Sequence, residues 1–208
     1  MKLDVLTKDG EKTGRQIELP ESIFGVEPNE HSMYLAVKLY NANQRQGTHK
    51  TKGRSEIKGS TRKLHKQKGT GGSRKGDIKN PLFRGGGTVF GPQPRSYGFS
   101  LNKKVKRLAK LSALSVKATG GDLLIVEDIK LEEPKTKEFQ SILKGLSLDN
   151  TKSTLVMGEA DKNVLLSARN IKKANVALYS ELNTYSILNS DKLVFSESGL
   201  NRLIEELN

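Results

Sequence analysis

The chain has 208 residues, room for one ordinary domain or two small ones. Hydrophobic residues make up 34% and aromatics 5%, against roughly 45 to 50% in a globular average that also counts Gly, so part of this chain is too polar to pack. Against 23 Asp and Glu stand 36 Lys and Arg, a net +13 that attracts polyanions, while the lack of Cys excludes disulfides, thiolate nucleophiles and Cys-type zinc sites.

The N-terminus alternates apolar and charged residues and does not read as a secretion signal. Leu3 and Val5, then Ile17 and Leu19 beyond Asp9-Gly10, predict a hairpin that stops at Pro20. Met33, Ala36, Val37 and Tyr40 recur at helical spacing, so a helix is expected over 29–43. After a long interruption, Val105, Leu108, Ala109, Leu111, Leu114, Val116 and Ala118 form a second helix with a broad apolar face, ended by Gly120-Gly121. Short β-type runs follow at 123–126, 154–157, 176–179 and 192–195, with helical stretches at 135–146, 162–170, 184–188 and 198–207. This alternation predicts an α/β fold with a mostly parallel sheet and helices on its faces. No apolar stretch approaches the about 20 residues of a membrane span.

The interruption is where the charge lies. Residues 44–107 hold 18 Lys and Arg but only Glu56 and Asp77 as acids, a net +16; the other 144 residues carry 18 basic and 21 acidic side chains, a net −3. The stretch also has 12 of the 20 glycines and only 11 hydrophobic residues, too few to repay the entropy of folding alone. The expected organisation is one globular body, 1–43 with 108–208, and an extended basic loop, 44–107, inserted between two helices. A hairpin with arms of about 27 residues reaches at most about 90 Å at roughly 3.3 Å per residue.

Three motifs mark the loop. In the first, Arg45, Gln46, Gly47, Thr48, His49, Lys50, Lys52 and Arg54 mix cations with small residues that let a backbone approach phosphate. Beyond Lys58, a second dense patch runs from Arg62 through Lys63, Lys66 and Lys68 to Arg74 and Lys75. Its glycines are not a nucleotide loop: no Gly-Lys pair occurs, and Arg74 stands where a dinucleotide fingerprint needs its third Gly. The third motif joins Lys79, Arg84, Gly85, Gly86, Gly87 and Arg95 to four aromatics, Phe83, Phe90, Tyr97 and Phe99. These rings either stack on unpaired bases or, as Phe90 with Val89 and Tyr97 with Phe99, pin the loop to the body. Lys103, Lys104 and Arg107 extend the positive charge into the second helix.

Catalysis finds no constellation. His31, His49 and His65 are scattered, and Asp4, Asp122, Asp161 and Asp191 near strand ends suit turns and caps as well as chemistry. No enzyme activity, cofactor, metal, membrane or small-molecule substrate is expected.

The strings Gly47-Thr48-His49-Lys50-Thr51-Lys52, Gln67-Lys68-Gly69-Thr70-Gly71, Arg84-Gly85-Gly86-Gly87 and Phe90-Gly91-Pro92 resemble the bacterial large ribosomal subunit protein four family. The likeness continues through Asn102-Lys103-Lys104-Val105, Ala168-Arg169-Asn170 and Asn183-Thr184-Tyr185. It implies a three-layer α/β/α body and a cytoplasmic, structural role in the large subunit, in translation and ribosome assembly. It also implies a loop threaded into 23S-type rRNA, whose tip approaches the peptide exit tunnel opposite protein twenty-two. Gln67, Lys68, Gly69, Thr70, Gly71, Gly72, Ser73 and Arg74 would form that tip. Two departures stand out: Leu64-His65 replaces a common Pro-Trp, and Gly72-Ser73 replaces a usual Arg-Ala.

The rival reading is a DNA-bending architectural protein with a basic arm, which Pro92 and Pro94 would suit. Against it, the loop lacks an alternating two-strand ribbon and no basic recognition helix is evident. A third reading is an adaptor whose basic loop grips an acidic protein or lipid surface.

Overall fold

Alternation along three short strands decides the layering. The computed structural model describes residues 1–207. In β3 (Leu123–Val126), β4 (Ser153–Met157) and β6 (Lys192–Ser196), residues Ile125, Val156, Leu193 and Phe195 point to one face, and Val126, Leu155, Met157 and Val194 to the other. Both sets are buried. A strand apolar on both faces needs cover on both, which gives an α/β/α sandwich with the sheet in the middle.

On the first face, Val5 of β1 (Lys2–Leu6) joins Ile23 and Phe24 of a short helix, α1 (Glu21–Phe24). Ala113, Leu114 and Ala118 of α3 (Lys103–Thr119), Ile187 of α6 (Thr184–Asn189), and Leu200 and Leu203 of α7 (Glu197–Leu207) complete that layer. On the second face, Phe139, Ile142 and Leu143 of α4 (Thr136–Gly145) pack with Val164 and Ala168 of α5 (Lys162–Ala168). Each large side chain so buried contributes about 1.5 to 3 kcal/mol relative to exposure.

The six strands run in the order β2-β1-β3-β6-β4-β5, where β2 is Lys12–Glu18 and β5 is Ala174–Leu178. Only β1 and β2 pair antiparallel, with Leu3 opposite Ile17; every other neighbouring pair is parallel. Their hairpin turns at Gly10, whose φ of +86° favours glycine and whose missing Cβ leaves room for the Gly145 carbonyl. β6 comes last in sequence but is central, pairing Leu193 with both Leu123 and Thr154.

Helix α2 (Glu30–Asn43) precedes the basic stretch and α3 follows it. Two buried serines of α3 explain its interrupted apolar face: Ser112 Oγ accepts the Asn29 N–H and Ser115 Oγ accepts the Val26 N–H, each at 3.1 Å. Tyr40 near the end of α2 stacks on Tyr185 of α6 with ring centroids 4.4 Å apart.

The strand-end acids serve structure. Asp161 caps α5 by accepting the Asn163 N–H at 2.8 Å, and Asp191 accepts the Lys152 N–H at 2.9 Å. Asp4 pairs with Lys12 at 2.6 Å, and this contact, with the Gln16 amide, holds its carboxyl below the usual range. Asp122 lies 2.9 Å from Lys192, and that contact lowers its pKa.

Candidate nucleic-acid interface

The chain divides into two compact units, Met1–Tyr40 with Ser100–Asn208, and Asn41–Phe99. The second carries 14 Lys and Arg against Glu56 and Asp77. The charge-based boundary at Arg107 falls inside α3.

No residue from 44 to 102 is in a helix or strand, yet the segment has definite internal ties. Arg95 N–H donates to the Gly47 carbonyl, Thr51 N–H to Pro92 and Thr88 N–H to Lys52, each at 3.1 Å, and Leu64 N–H donates to Gly76 at 3.0 Å. The partners come from two stretches that run antiparallel, with turns and bends between them. Its side chains face outward: within Asn41–Phe99 only Gly87 is buried. A peptide without a core holds its shape through such hydrogen bonds and ion pairs, and these weaken in water.

Near the base, Tyr97 is the hub. The Arg45 guanidinium lies 3.7 Å and the Arg95 guanidinium 4.6 Å from its ring centroid, and its hydroxyl meets His49 Nε2 at 3.3 Å. Gly47 lets the backbone pass beside this ring, since a Cβ there would overlap the Arg95 carbonyl. Gln46 and Thr48 are exposed. Tyr97 thus serves the arm itself, holding three candidate phosphate ligands in one place.

Further along, the two carboxylates are both engaged. Lys50 Nζ sits 2.5 Å from Glu56 Oε1, and Glu56 Oε2 accepts the Gly53 N–H at 3.0 Å, so its pKa lies below the ordinary value, chiefly because of Lys50. Arg54 pairs with Asp77 at 2.9 Å, and the Asp77 carboxylate is only 13% exposed. Lys79 contributes its carbonyl to a tight turn that closes when Gly87 N–H donates to it at 3.0 Å. Gly86 and Gly87 fit there because a Cβ on either would overlap backbone of Asn80 or Arg54; Arg84 and Gly85 stay exposed on the turn. Lys75 lies over the Phe83 ring at 5.3 Å.

Lys58, Arg62, Lys63, Lys66, Lys68, Arg74 and Lys75 are exposed. So is every residue from Gln67 to Arg74, where Gly69 and Gly71 take φ of +82° and +66° with nothing near them. Lys63 Nζ donates to Gln67 Oε1 at 2.5 Å, beside this apex. Lys103 and Lys104 are exposed on the first turn of α3, whereas Arg107 directs its guanidinium to the Leu207 carbonyl and so ties α3 to the end of α7. Sequence reasoning missed the two carboxylate ties; their signal was that they are the only acids in a long basic stretch.

Among the described residues there is no group of three or more His, Cys, Asp or Glu able to hold a metal, and no helix long and apolar enough to cross a membrane. A family model, described as the ribosomal protein L4/L1 family, matches residues 17–206, the whole basic unit included. The chain belongs to that family. Large ribosomal subunit protein uL4 of Flavobacterium johnsoniae is 57% identical over 206 residues, covering 99% of this chain and 98% of its own. The proteins of the same name in Phocaeicola vulgatus and Cytophaga hutchinsonii are 58% and 51% identical, over 96% and 100% of each chain. L4/L1 proteins are structural and not enzymes, and the family lends no support to a DNA-bending reading.

Proposed function

We propose that the chain is a structural constituent of the large ribosomal subunit and acts in the cytoplasm, where bacterial ribosomes work. In this reading Asn41–Phe99 binds 23S-type rRNA and the α/β unit anchors it. Exposed Lys and Arg neutralise phosphates where rRNA strands converge, and the ring-bound cations at Tyr97 and the closed turn at Gly87 fix where those charges sit. The rRNA set is the one drawn from sequence: Arg45, Gln46, Gly47, Thr48, His49, Lys50, Lys52 and Arg54, then Lys58, Arg62, Lys63, Lys66, Lys68, Arg74 and Lys75, then Lys79, Arg84, Gly85, Gly86, Gly87 and Arg95, with Lys103, Lys104 and Arg107 beyond them. Gln67 to Arg74 would lie by the peptide exit tunnel, beside protein twenty-two, as the resemblance implies.

The observation that carries this is a unit with 14 cationic and two acidic side chains in which only one residue is buried. Such a surface, held by a few internal ties, is ordered further by a polyanion, so part of its ordering is coupled to binding. Binding of the full chain to large-subunit rRNA fragments and to duplex DNA at matched salt tests it. RNA affinity should fall by about three to five decades between about 50 and 200 mM salt for six to ten phosphate contacts, with rRNA preferred. Equal affinity for duplex DNA, or a chain lacking 45–95 that still enters large subunits normally, would overturn the reading.

A further inference from the structure

Phe90 is the most exposed phenyl ring of the basic unit, at 104% against 37% for Phe99. Its φ is +55°, a left-handed backbone seldom adopted by bulky residues, and its side chain is fully exposed. The conformation is held from both sides. Thr88 N–H donates to the Lys52 carbonyl and Thr51 N–H to the Pro92 carbonyl, each at 3.1 Å, so Val89, Phe90 and Gly91 bulge out opposite the Thr51-Lys52 step. Gly91 packs so closely on Thr51 that a Cβ would overlap its Oγ1, which leaves the bulge no room to turn inward.

The other rings differ. Tyr97 has the Arg45 and Arg95 guanidinium groups over its ring, and Phe83 lies under Lys75. Phe90 combines backbone strain with an apolar ring in water, and neither stabilises the free chain. Strain of this kind persists where surrounding structure enforces it, and it clusters at ligand clamps. The surrounding charge selects the occupant: a polyanion that also offers flat apolar faces is a nucleic acid with unpaired bases.

We propose that Phe90 is a stacking tooth that inserts against an unpaired RNA base while the neighbouring cations hold the backbone. This rests on the rRNA-binding reading above and names the chemistry of one contact within it. Full-length wild type, Phe90→Ala and Phe90→Trp are titrated with a mixed-sequence single-stranded RNA oligonucleotide, an RNA duplex of the same length, and polyglutamate, across a salt series. Phe90→Ala should bind single-stranded RNA about tenfold more weakly, as expected for loss of one stacked base. Its slope of log affinity against log salt should stay that of wild type, because no phosphate contact is lost. Phe90→Trp should bind at least as well as wild type, and duplex affinity should be unchanged in both variants. The ring is fully exposed, so both variants should keep the wild-type melting temperature. Equal single-strand affinity for wild type and Phe90→Ala, an equal loss on duplex, or the same loss on polyglutamate would overturn the tooth while leaving RNA binding standing. Absence of salt-dependent RNA binding by wild type would overturn both.

Discussion

Arg54 and Asp77 form an ion pair at 2.9 Å across 23 residues of chain, from one side of the basic hairpin to the other. An acid that would repel phosphate is thereby turned into a fastener. Its partner cation is positioned at the same time. Asp77→Asn should free Arg54 and remove one negative charge from the interface. RNA binding should then show a steeper salt dependence, by about 0.7 to 0.9 in the slope of log affinity against log salt. The hairpin itself should be cleaved faster by limited trypsin digestion. An unchanged slope would mean that Arg54 already contacts RNA while paired.

Glu56 gives a pH signature. Lys50 and the Gly53 N–H both favour the ionised carboxylate, so its pKa in the folded unit lies below that of the unfolded chain. The stabilisation is therefore present above the unfolded value and is lost as pH falls through the lower folded value. The Glu56 carboxyl, followed by NMR, should titrate below the ordinary range in wild type and shift upward in Lys50→Met. The Gly53 amide should move with the same midpoint. A midpoint indifferent to Lys50→Met would remove the ion pair as the cause.

Gly85 and Gly87 separate backbone shape from charge. An Ala at Gly87 would collide with the Arg54 backbone and open the turn, whereas at Gly85 it meets nothing and suffers only the φ of +79°. Gly87→Ala should expose the Thr88 amide to hydrogen exchange and weaken RNA binding about tenfold, the effect of roughly 1.4 kcal/mol, with net charge unchanged. Gly85→Ala should cost about 1 kcal/mol or less in local order. Equal behaviour of the two variants would refute the steric argument.

Phe195 tests the independence of the two units. It is buried on β6 among Ile23, Leu114 and Leu200. Phe195→Ala should destabilise the α/β unit by about 3 to 5 kcal/mol, read by denaturant unfolding. The trypsin pattern within 45–95 should be unaltered below the unfolding transition.

Much of the α/β unit was readable because its signals are local. The LLIV run at Leu123–Val126 is a strand with those bounds, and the apolar stripe before Gly120 is a helix. β5 starts two residues before its apolar signal, at Ala174–Leu178, because an edge strand is paired through its backbone and the polar Asn175 interrupts the run. The four-residue α1 escaped notice, being shorter than any periodic pattern. Strand order was not readable, since it depends on pairings between residues far apart, such as Leu123 with Leu193. In the basic unit the charge was plain in the composition. The two cations over Tyr97 and the Arg54–Asp77 pair were not, because a segment without helix or strand has no side-chain period to reveal its neighbours.

The position of β6 has a consequence for biosynthesis. The slot between β3 and β4 stays vacant until Lys192–Ser196 leaves the translating ribosome. Asn41–Phe99 emerges well before that, so a nascent chain displays its polycation beside an unfinished scaffold. For that interval the newborn protein carries the charge of its basic unit without a completed sheet.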